Sequence, residues 1–113
     1  LFDQVLIVGE GRSYLSAILV LNADLWPGLA GEYGLDPDSP ESLAHPPLLR
    51  DMLKRIRDAL ANFPGYAKVR RATLTLEPWS IENGMLTPTM KIKRNRVLEH
   101  YHAALQQMYA EHL

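Results

Sequence analysis

Residues 83–96 read NGMLTPTMKIKRNR, and the rest of the chain is organised around this stretch. The Asn83-Gly84 pair is a turn signal. Pro88 then lies between two β-branched threonines, so we expect a stiff, extended segment that leads to Lys91. A helix is predicted to begin a few residues later. The stretch therefore presents a lysine on a rigid support, and the upstream residues are predicted to be the scaffold of that support.

Residues 47–79 predict a helix followed by a strand. Apolar side chains recur at spacings of three and four over residues 47–62, which indicates an amphipathic helix ended by Pro64-Gly65. Residues 68–79, KVRRATLTLEPW, alternate as a strand does, with Val69 and Leu74 on opposite faces.

The N-terminal third predicts a β-hairpin followed by a long loop. QVLIV at residues 4–8 and YLSAILVLN at residues 14–22 are the two strands. The second is apolar nearly throughout, so it should be central with both faces covered. Residues 23–47 hold five of the eight prolines, which predicts a surface loop with one or two helical turns near Trp26, a packing anchor.

Apolar residues recur at helical spacing from residue 97 to residue 109 and predict a C-terminal helix. The order of elements is then strand, strand, helix, strand, helix. We expect an α+β fold with a small, mostly antiparallel sheet of about three strands flanked by helices. A length of 113 residues favours one domain, residues 1–113.

Composition excludes several classes of protein. The chain is 47% hydrophobic and 22% charged, as soluble domains are, and no apolar run approaches the ~20 residues that span a bilayer. We expect a cytoplasmic protein. Zero cysteines exclude disulfides and thiolate chemistry. The four histidines form no HExxH pattern, and three of them suit the exposed side of the C-terminal helix, so no metal site is predicted.

The net charge of −1 conceals a basic C-terminal half. More than half of the basic residues lie in two short segments: Lys68, Arg70, Arg71, Lys91, Lys93, Arg94 and Arg96. Such a cluster is most often a solvated surface. On a stiff support, however, the ammonium of Lys91 would suit the stabilisation of negative charge that develops during a reaction.

The stretch ENGMLTPTMKIKRNRV, with VGEGRSYLSAILVLN and FPGYAKVRR, closely resembles the C-terminal domain of long-chain fatty-acid–CoA ligases. These are AMP-forming members of the adenylate-forming acyl/aryl-CoA synthetase superfamily. The likeness covers nearly the whole chain. The form N-G-x-L-T-P-T-x-K-x-K-R is long and specific, and it is more similar to the long-chain ligases than to the short-chain or aryl ones.

The resemblance implies a two-step enzyme. ATP and a fatty acid form an acyl-adenylate and pyrophosphate with Mg²⁺, and coenzyme A then gives acyl-CoA and AMP. It implies that Lys91 is the catalytic lysine of the first step, with Lys93 as the competing assignment. Met90 stands where many relatives have glycine. The cofactor-binding residues expected beside Lys91 are Thr87, Thr89, Lys93 and Arg94. Whether Arg12 or the basic cluster contacts coenzyme A is left open. The alternative is that these residues form a solvated basic surface.

The resemblance also implies a C-terminal fragment of a larger two-domain ligase. The small domain rotates on the N-terminal domain between the two steps, and the hinge should lie before Leu1. The expected partners are that N-terminal domain and the substrates fatty acid, ATP and coenzyme A, with no tightly bound cofactor on the fragment. We expect the fragment to fold and to be inactive alone. Peripheral membrane association of the full enzyme is left open.

Two other classes of function compete with a ligase domain. A small α+β domain with a basic cluster could bind nucleic acid, but RNA-reading sheets expose aromatic side chains on their strands. Here the strands are aliphatic apart from Tyr14, so no nucleic acid is expected. A module that only binds other proteins is the third class.

Overall fold

The computed structural model describes residues 1–9, 12, 14–63 and 69–110. Within the chain two compact units are distinguished, Leu1–Leu76 and Glu77–Leu113. The first contains the sheet and the second contains Lys91. Predictions that rest on part of the hairpin loop, on Pro64-Gly65, on Lys68 and on His112 lie outside the described residues. That the chain is one domain of a larger ligase stays a prediction.

Over its described residues, the first unit forms a sheet of three strands, β1 (Phe2–Val8), β2 (Leu15–Leu21) and β3 (Val69–Thr75), in the order β1-β2-β3. β1 and β2 are antiparallel, whereas β2 and β3 are parallel. The long connection between β2 and β3 contains a helix, α2 (Pro46–Ala59), which returns the chain to the same end of the sheet. The α+β class is confirmed, and one of the two strand pairs is parallel where a mostly antiparallel sheet was expected.

β2 is buried on both faces, as its apolar sequence predicts. Ala17 and Leu19 belong to the main hydrophobic cluster, and Ile18 and Val20 lie on the opposite face. All four are 0% exposed. A strand buried in this way lies at the centre of the sheet, where its side chains give the sheet a fixed register.

Two helices cover one face of the sheet. α1 (Trp26–Glu32) and α2 contribute most of the helical side chains of the main cluster. On α2 the buried residues are Leu48, Met52 and Ile56, which confirms the predicted stripe. Each such side chain contributes about 1.5–3 kcal/mol on burial.

The end of α2 is tied to the start of β3. Arg57 of α2 is half-buried, and its Nε donates to the carbonyl oxygen of Val69 at 2.7 Å. This bond fixes where the third strand begins.

β3 does not alternate strictly. Its register against β2 shifts between Leu15 and Ser16, which face Val69 and Arg71, so Arg70 is an extra residue. Such a bulge changes the phase of the strand. Val69 therefore lies in the same buried cluster as Leu74, and the prediction that these two occupy opposite faces is wrong.

The proline-rich segment between β2 and α2 is held by local bonds. The side-chain oxygen of Asn22 accepts the backbone N–H groups of Asp24 and Leu25 at 2.9 and 3.1 Å, just before α1. Trp26 is 3% exposed, and its indole N–H donates to the carbonyl of Pro37 at 2.9 Å. The predicted role of Trp26 as a packing anchor is confirmed.

The described residues of the second unit form two helices, α3 (Arg94–His100) and α4 (His102–Ala110), where one C-terminal helix was predicted. The break falls at Tyr101, which has φ −100° and ψ 22°. The hydroxyl of Tyr101 accepts the indole N–H of Trp79 at 3.1 Å. A tertiary hydrogen bond thus holds the residue at which the helical pattern is interrupted.

Candidate functional site

Asn83 fixes the turn that precedes Lys91. Its side-chain oxygen accepts the backbone N–H groups of Ser80 and Met85 at 3.0 and 3.1 Å. Its side-chain nitrogen donates to the carbonyl of Pro78 at 2.8 Å. Gly84 follows with φ +79°, a conformation that glycine adopts without steric cost. The predicted Asn83-Gly84 turn is confirmed, and the asparagine side chain spans it.

Residues 86–92, which we name the Lys91 loop, form a tight hairpin. Leu86 and Ile92 pair as an antiparallel bridge. The N–H of Thr87 donates to the carbonyl of Lys91, and the N–H of Met90 donates to the carbonyl of Thr87, both at 2.8 Å. The prediction of an extended segment is therefore wrong: the chain reverses direction at the proline, although the expected stiffness has a basis in these bonds.

The hydroxyl of Thr87 is part of this loop. Its Oγ1 accepts the backbone N–H of Lys91 at 3.1 Å and lies 3.0 Å from Oγ1 of Thr89. Thr87 thus bonds to both the N–H and the carbonyl of Lys91. A contact of Thr87 or Thr89 with a nucleotide stays a prediction, while their hydroxyls already have a role in positioning the lysine.

Met90 has an unusual backbone conformation. It has φ +67°, and among the described residues no other residue except glycine has a positive φ. This is the left-handed position that follows the β-turn in a three-residue hairpin loop, where glycine or asparagine is favoured. Its side chain is 63% exposed.

Lys91 is exposed, and both its backbone N–H and its backbone carbonyl are hydrogen-bonded to Thr87. Within the described part of the chain its ammonium group has no hydrogen-bond or ion-pair partner. A lysine with a fixed backbone and an unpaired ammonium can reach an anion without first breaking an internal contact.

Lys93 and Arg94 connect the Lys91 loop to α3. The N–H of Lys93 donates to the carbonyl of Met85 at 2.7 Å, which extends the hairpin by one bond. Lys93 is the residue that precedes α3, and its side chain is exposed, whereas Arg94 is half-buried and has contacts of its own. The structure therefore brings Thr87, Thr89, Lys91, Lys93 and Arg94 into one continuous segment, and their binding roles stay predictions.

Arg12, the other basic residue considered for coenzyme A, belongs to the first unit. It is exposed, and its N–H donates to the carbonyl of Gly9 at 2.9 Å. This residue is part of the loop between β1 and β2.

α3 lies close to the turn before the Lys91 loop. A Cβ atom added at Gly84 would lie 3.1 Å from Nη2 of Arg96, on the first turn of the helix. Beyond that turn, His100 Nε2 lies 3.0 Å from a carboxylate oxygen of Glu77. Sequence reasoning missed these links, because a spacing of 12 or 23 residues carries no local periodicity.

The described residues offer neither a metal-binding cluster nor a membrane-spanning helix. Over residues 1–9, 12, 14–63 and 69–110, no three histidine or acidic side chains lie close enough together to hold a metal ion. In the same ranges no helix has the length and apolarity needed to cross a membrane.

Comparison with known proteins gives the family of the chain. The model of a family described as "AMP-binding enzyme C-terminal domain" matches residues 1–113. Peroxisomal long chain acyl-CoA synthetases 7 and 6 of Arabidopsis thaliana are 32% and 31% identical over 113 and 112 residues. In each case 96% of this chain and 16% of the relative are covered.

A solved structure shows the same fold. The adenylation domain of a carboxylate reductase from Mycobacterium chelonae superposes with a TM-score of 0.66 at 29% identity. The match covers 97% of this chain and 16% of that chain. This chain thus spans less than a fifth of the length of the proteins that it matches, and it belongs to the family of C-terminal domains of AMP-binding enzymes.

Proposed function

We propose that the chain is the mobile C-terminal domain of a long-chain fatty-acid–CoA ligase and that Lys91 supplies the positive charge for adenylation. The observation that carries the proposal is an exposed lysine whose ammonium has no partner among the described residues and whose backbone N–H and carbonyl both bond to Thr87. A surface lysine without a functional role would not need its backbone fixed by these hydrogen bonds. The long-chain substrate class is supported by the names of the two Arabidopsis relatives.

In the proposed first step, a carboxylate oxygen of the fatty acid attacks the α-phosphorus of ATP, and pyrophosphate leaves with the bonding electron pair. Two anions must approach each other, and the ammonium of Lys91 would offset their repulsion. At about 4 Å and an effective dielectric constant near 20, one unit-charge contact is worth about 4 kcal/mol. This interaction accelerates adenylation only to the extent that it is stronger in the transition state than with the bound substrates.

In the second step, the thiol of coenzyme A attacks the acyl carbonyl carbon and AMP leaves. The proposal assigns Lys91 to the first step alone. ATP, Mg²⁺ and coenzyme A would bind in the full-length enzyme, together with the N-terminal domain that carries the fatty-acid pocket. The part of this chain would be to neutralise and position anions through the exposed side chain of Lys91. We also propose that the full-length protein is cytoplasmic.

A nucleic-acid-binding function has less support. Tyr14, which directly precedes β2, is 6% exposed, and Phe2 of β1 is half-buried against the main hydrophobic cluster. Bases stack on exposed aromatic rings, so a buried tyrosine does not serve as a platform. The guanidinium of Arg71 lies 5.8 Å from the centroid of this ring, which gives Arg71 an internal contact. Among the described residues of the sheet region, neither Tyr14 nor Phe2 is thus presented as a fully exposed ring on which a base could stack.

The test is the replacement Lys91→Ala in the full-length protein that contains this chain. Pyrophosphate release from ATP and dodecanoate measures the first step, and acyl-CoA formation from supplied dodecanoyl-adenylate measures the second. We expect the first step to slow roughly 100-fold, the usual effect of losing one group that stabilises transition-state charge. The second step should change little.

Lys93→Ala is the matched control, since Lys93 is two residues away, is exposed and is the competing assignment. A larger loss of adenylation in Lys93→Ala than in Lys91→Ala would transfer the role to Lys93. Equal losses of both half-reactions in Lys91→Ala would contradict the proposed division of labour. Turnover of ATP and dodecanoate by the 113-residue chain alone would contradict the proposal that it is inactive without its partner domain.

A further inference from the structure

Met90 combines three properties that folding alone does not explain. Its φ of +67° lies in the left-handed region, its side chain is 63% exposed, and it directly precedes Lys91. The left-handed conformation is unfavourable for a residue with a Cβ atom. An exposed side chain gains little burial energy that could compensate.

Glycine or asparagine would form this hairpin with less strain. The hairpin bonds that surround position 90, from Thr87 to Lys91 and from Met90 to Thr87, use backbone groups that any residue except proline possesses. The turn therefore needs the backbone of residue 90 and has no use for the methionine side chain. Strain of this kind is typically retained at functional positions.

We propose that Met90 contacts the hydrocarbon chain of the acid substrate, next to the carboxylate that Lys91 neutralises. This inference rests on the proposed function of Lys91. Adjacent Cα atoms are about 3.8 Å apart, and methionine and lysine are both long and unbranched. Side chains of this length on neighbouring residues can reach one ligand together, and the proposal places the thioether against the first methylenes when the ammonium reaches the carboxylate.

The chemistry of methionine suits this contact. Its thioether is apolar, polarisable and flexible, so it adapts to an alkyl chain without a fixed shape. A short polar acid would gain no binding free energy from such a neighbour. A fatty acid would gain binding free energy from each methylene that the methionine buries. Met90 would thus be a substrate-contact residue that favours an aliphatic acid at the moment of adenylation.

The experiment compares two acids of equal length in the full-length protein. One is dodecanoate, and the other has an ether oxygen in place of the third methylene from the carboxyl carbon. The measured quantity is the ratio of their kcat/KM values for pyrophosphate release. Because each enzyme serves as its own reference, intrinsic differences between the two acids cancel when variants are compared.

In the wild type we expect the ratio to favour dodecanoate. Met90→Gly and Met90→Gln should each reduce this preference by about fourfold, the value that corresponds to ~0.8 kcal/mol for one buried methylene. Met90→Leu, which keeps an apolar side chain, should retain it. Glycine suits the left-handed position, so the glycine variant is expected to fold.

An unchanged ratio in Met90→Gly and Met90→Gln would overturn the inference. If the activity on both acids fell equally, the methionine would contact protein; if neither activity changed, it would have no role. Lys91→Ala separates this result from the proposed function, because it should slow adenylation of both acids alike. If Lys91→Ala left adenylation intact, the proposed function itself would fail.

Discussion

Oγ1 of Thr87 accepts the backbone N–H of Lys91 at 3.1 Å, so a hydroxyl four residues earlier closes the Lys91 loop. Thr87→Val keeps the shape of the side chain and removes this bond. A hydrogen bond of this kind contributes about 0.5–1.5 kcal/mol. We expect a three- to tenfold lower kcat for adenylation, which corresponds to about that energy, and little change in KM for ATP.

Thr87→Ser is the matched control, because serine retains the hydroxyl and should keep most of the activity. The two readouts separate the positioning role from a nucleotide contact. If the main effect of Thr87→Val were a higher KM for ATP with kcat unchanged, Thr87 would bind the nucleotide rather than position Lys91.

Asn83 makes three side-chain hydrogen bonds around the turn before the Lys91 loop, to Ser80, Met85 and Pro78. Asn83→Ala removes all three, and at about 0.5–1.5 kcal/mol each their loss should destabilise this segment by about 1.5–4.5 kcal/mol. Hydrogen–deuterium exchange of the full-length protein should show faster exchange at residues 80–93.

Glu82→Ala is the control, because Glu82 is the neighbouring residue and is exposed. The free energy of local opening that hydrogen exchange measures should stay within about 0.5 kcal/mol of the wild-type value in this variant. Equal exchange in Asn83→Ala and Glu82→Ala would show that the turn is held by its backbone alone.

Two glycines should respond to alanine with opposite signs. Gly84 has φ +79°, and its added Cβ would lie 3.1 Å from Nη2 of Arg96. Arg96 can move, but the backbone penalty of about 1–2 kcal/mol remains. Gly28 lies inside α1 with no heavy atom within 4 Å of an added Cβ, so alanine there should stabilise by about 0.5–1 kcal/mol.

Urea unfolding of the 113-residue chain measures both changes as shifts of the midpoint. Gly84→Ala should lower the midpoint and Gly28→Ala should raise it. A rise in both would mean that the turn at Gly84 relaxes to a conformation open to any residue.

Local patterns were sufficient to predict the elements of the first unit. The stripe through Met52 and Ile56 indicated α2 because a helix repeats every 3.6 residues, and the apolar run of β2 indicated burial on two faces. The bulge opposite Ser16 was not predictable, because an extra residue such as Arg70 leaves no mark in an alternating sequence. The parallel β2–β3 pair depends on how the connection crosses the sheet, which periodicity does not report.

The sequence predicted the position of the Lys91 loop correctly and its backbone conformation wrongly. The usual signal for a short hairpin is a glycine or asparagine at the left-handed position, and this chain has Met90 there. Pro88 and the two threonines then favoured an extended strand. The bond from Lys91 to the Thr87 hydroxyl was in principle readable, since threonine side chains often bond to nearby backbone groups.

The pair Tyr33 and Asp51 gives the stability of the first unit a specific dependence on alkaline pH. The Tyr33 hydroxyl donates a hydrogen bond to the Asp51 carboxylate. This bond, together with desolvation and the negative charges of Asp51 and Glu32, raises the pKa of Tyr33 from 10.0 to about 12, with Arg55 acting in the opposite direction. The folded chain therefore keeps a proton that the unfolded chain releases.

Between pH 10 and about pH 12 the folded state binds more protons at Tyr33 than the unfolded state does, so the free energy of unfolding falls as the pH rises. Below pH 10 the contribution is fully present. Tyr33→Phe removes the titrating group, and its free energy of unfolding should fall less steeply than that of the wild type over this range. Equal slopes would show that Tyr33 has the same pKa in both states.

Asp51→Asn tests the cause of the shift, because an amide keeps the size of the side chain and removes its charge. We expect the pKa of Tyr33 in this variant to move from about 12 back toward 10.0. The tyrosinate absorbance of each protein, taken as the difference from its Tyr33→Phe counterpart, isolates this one residue among the five tyrosines. If the difference titration kept its midpoint in Asp51→Asn, burial rather than the carboxylate would be the dominant cause.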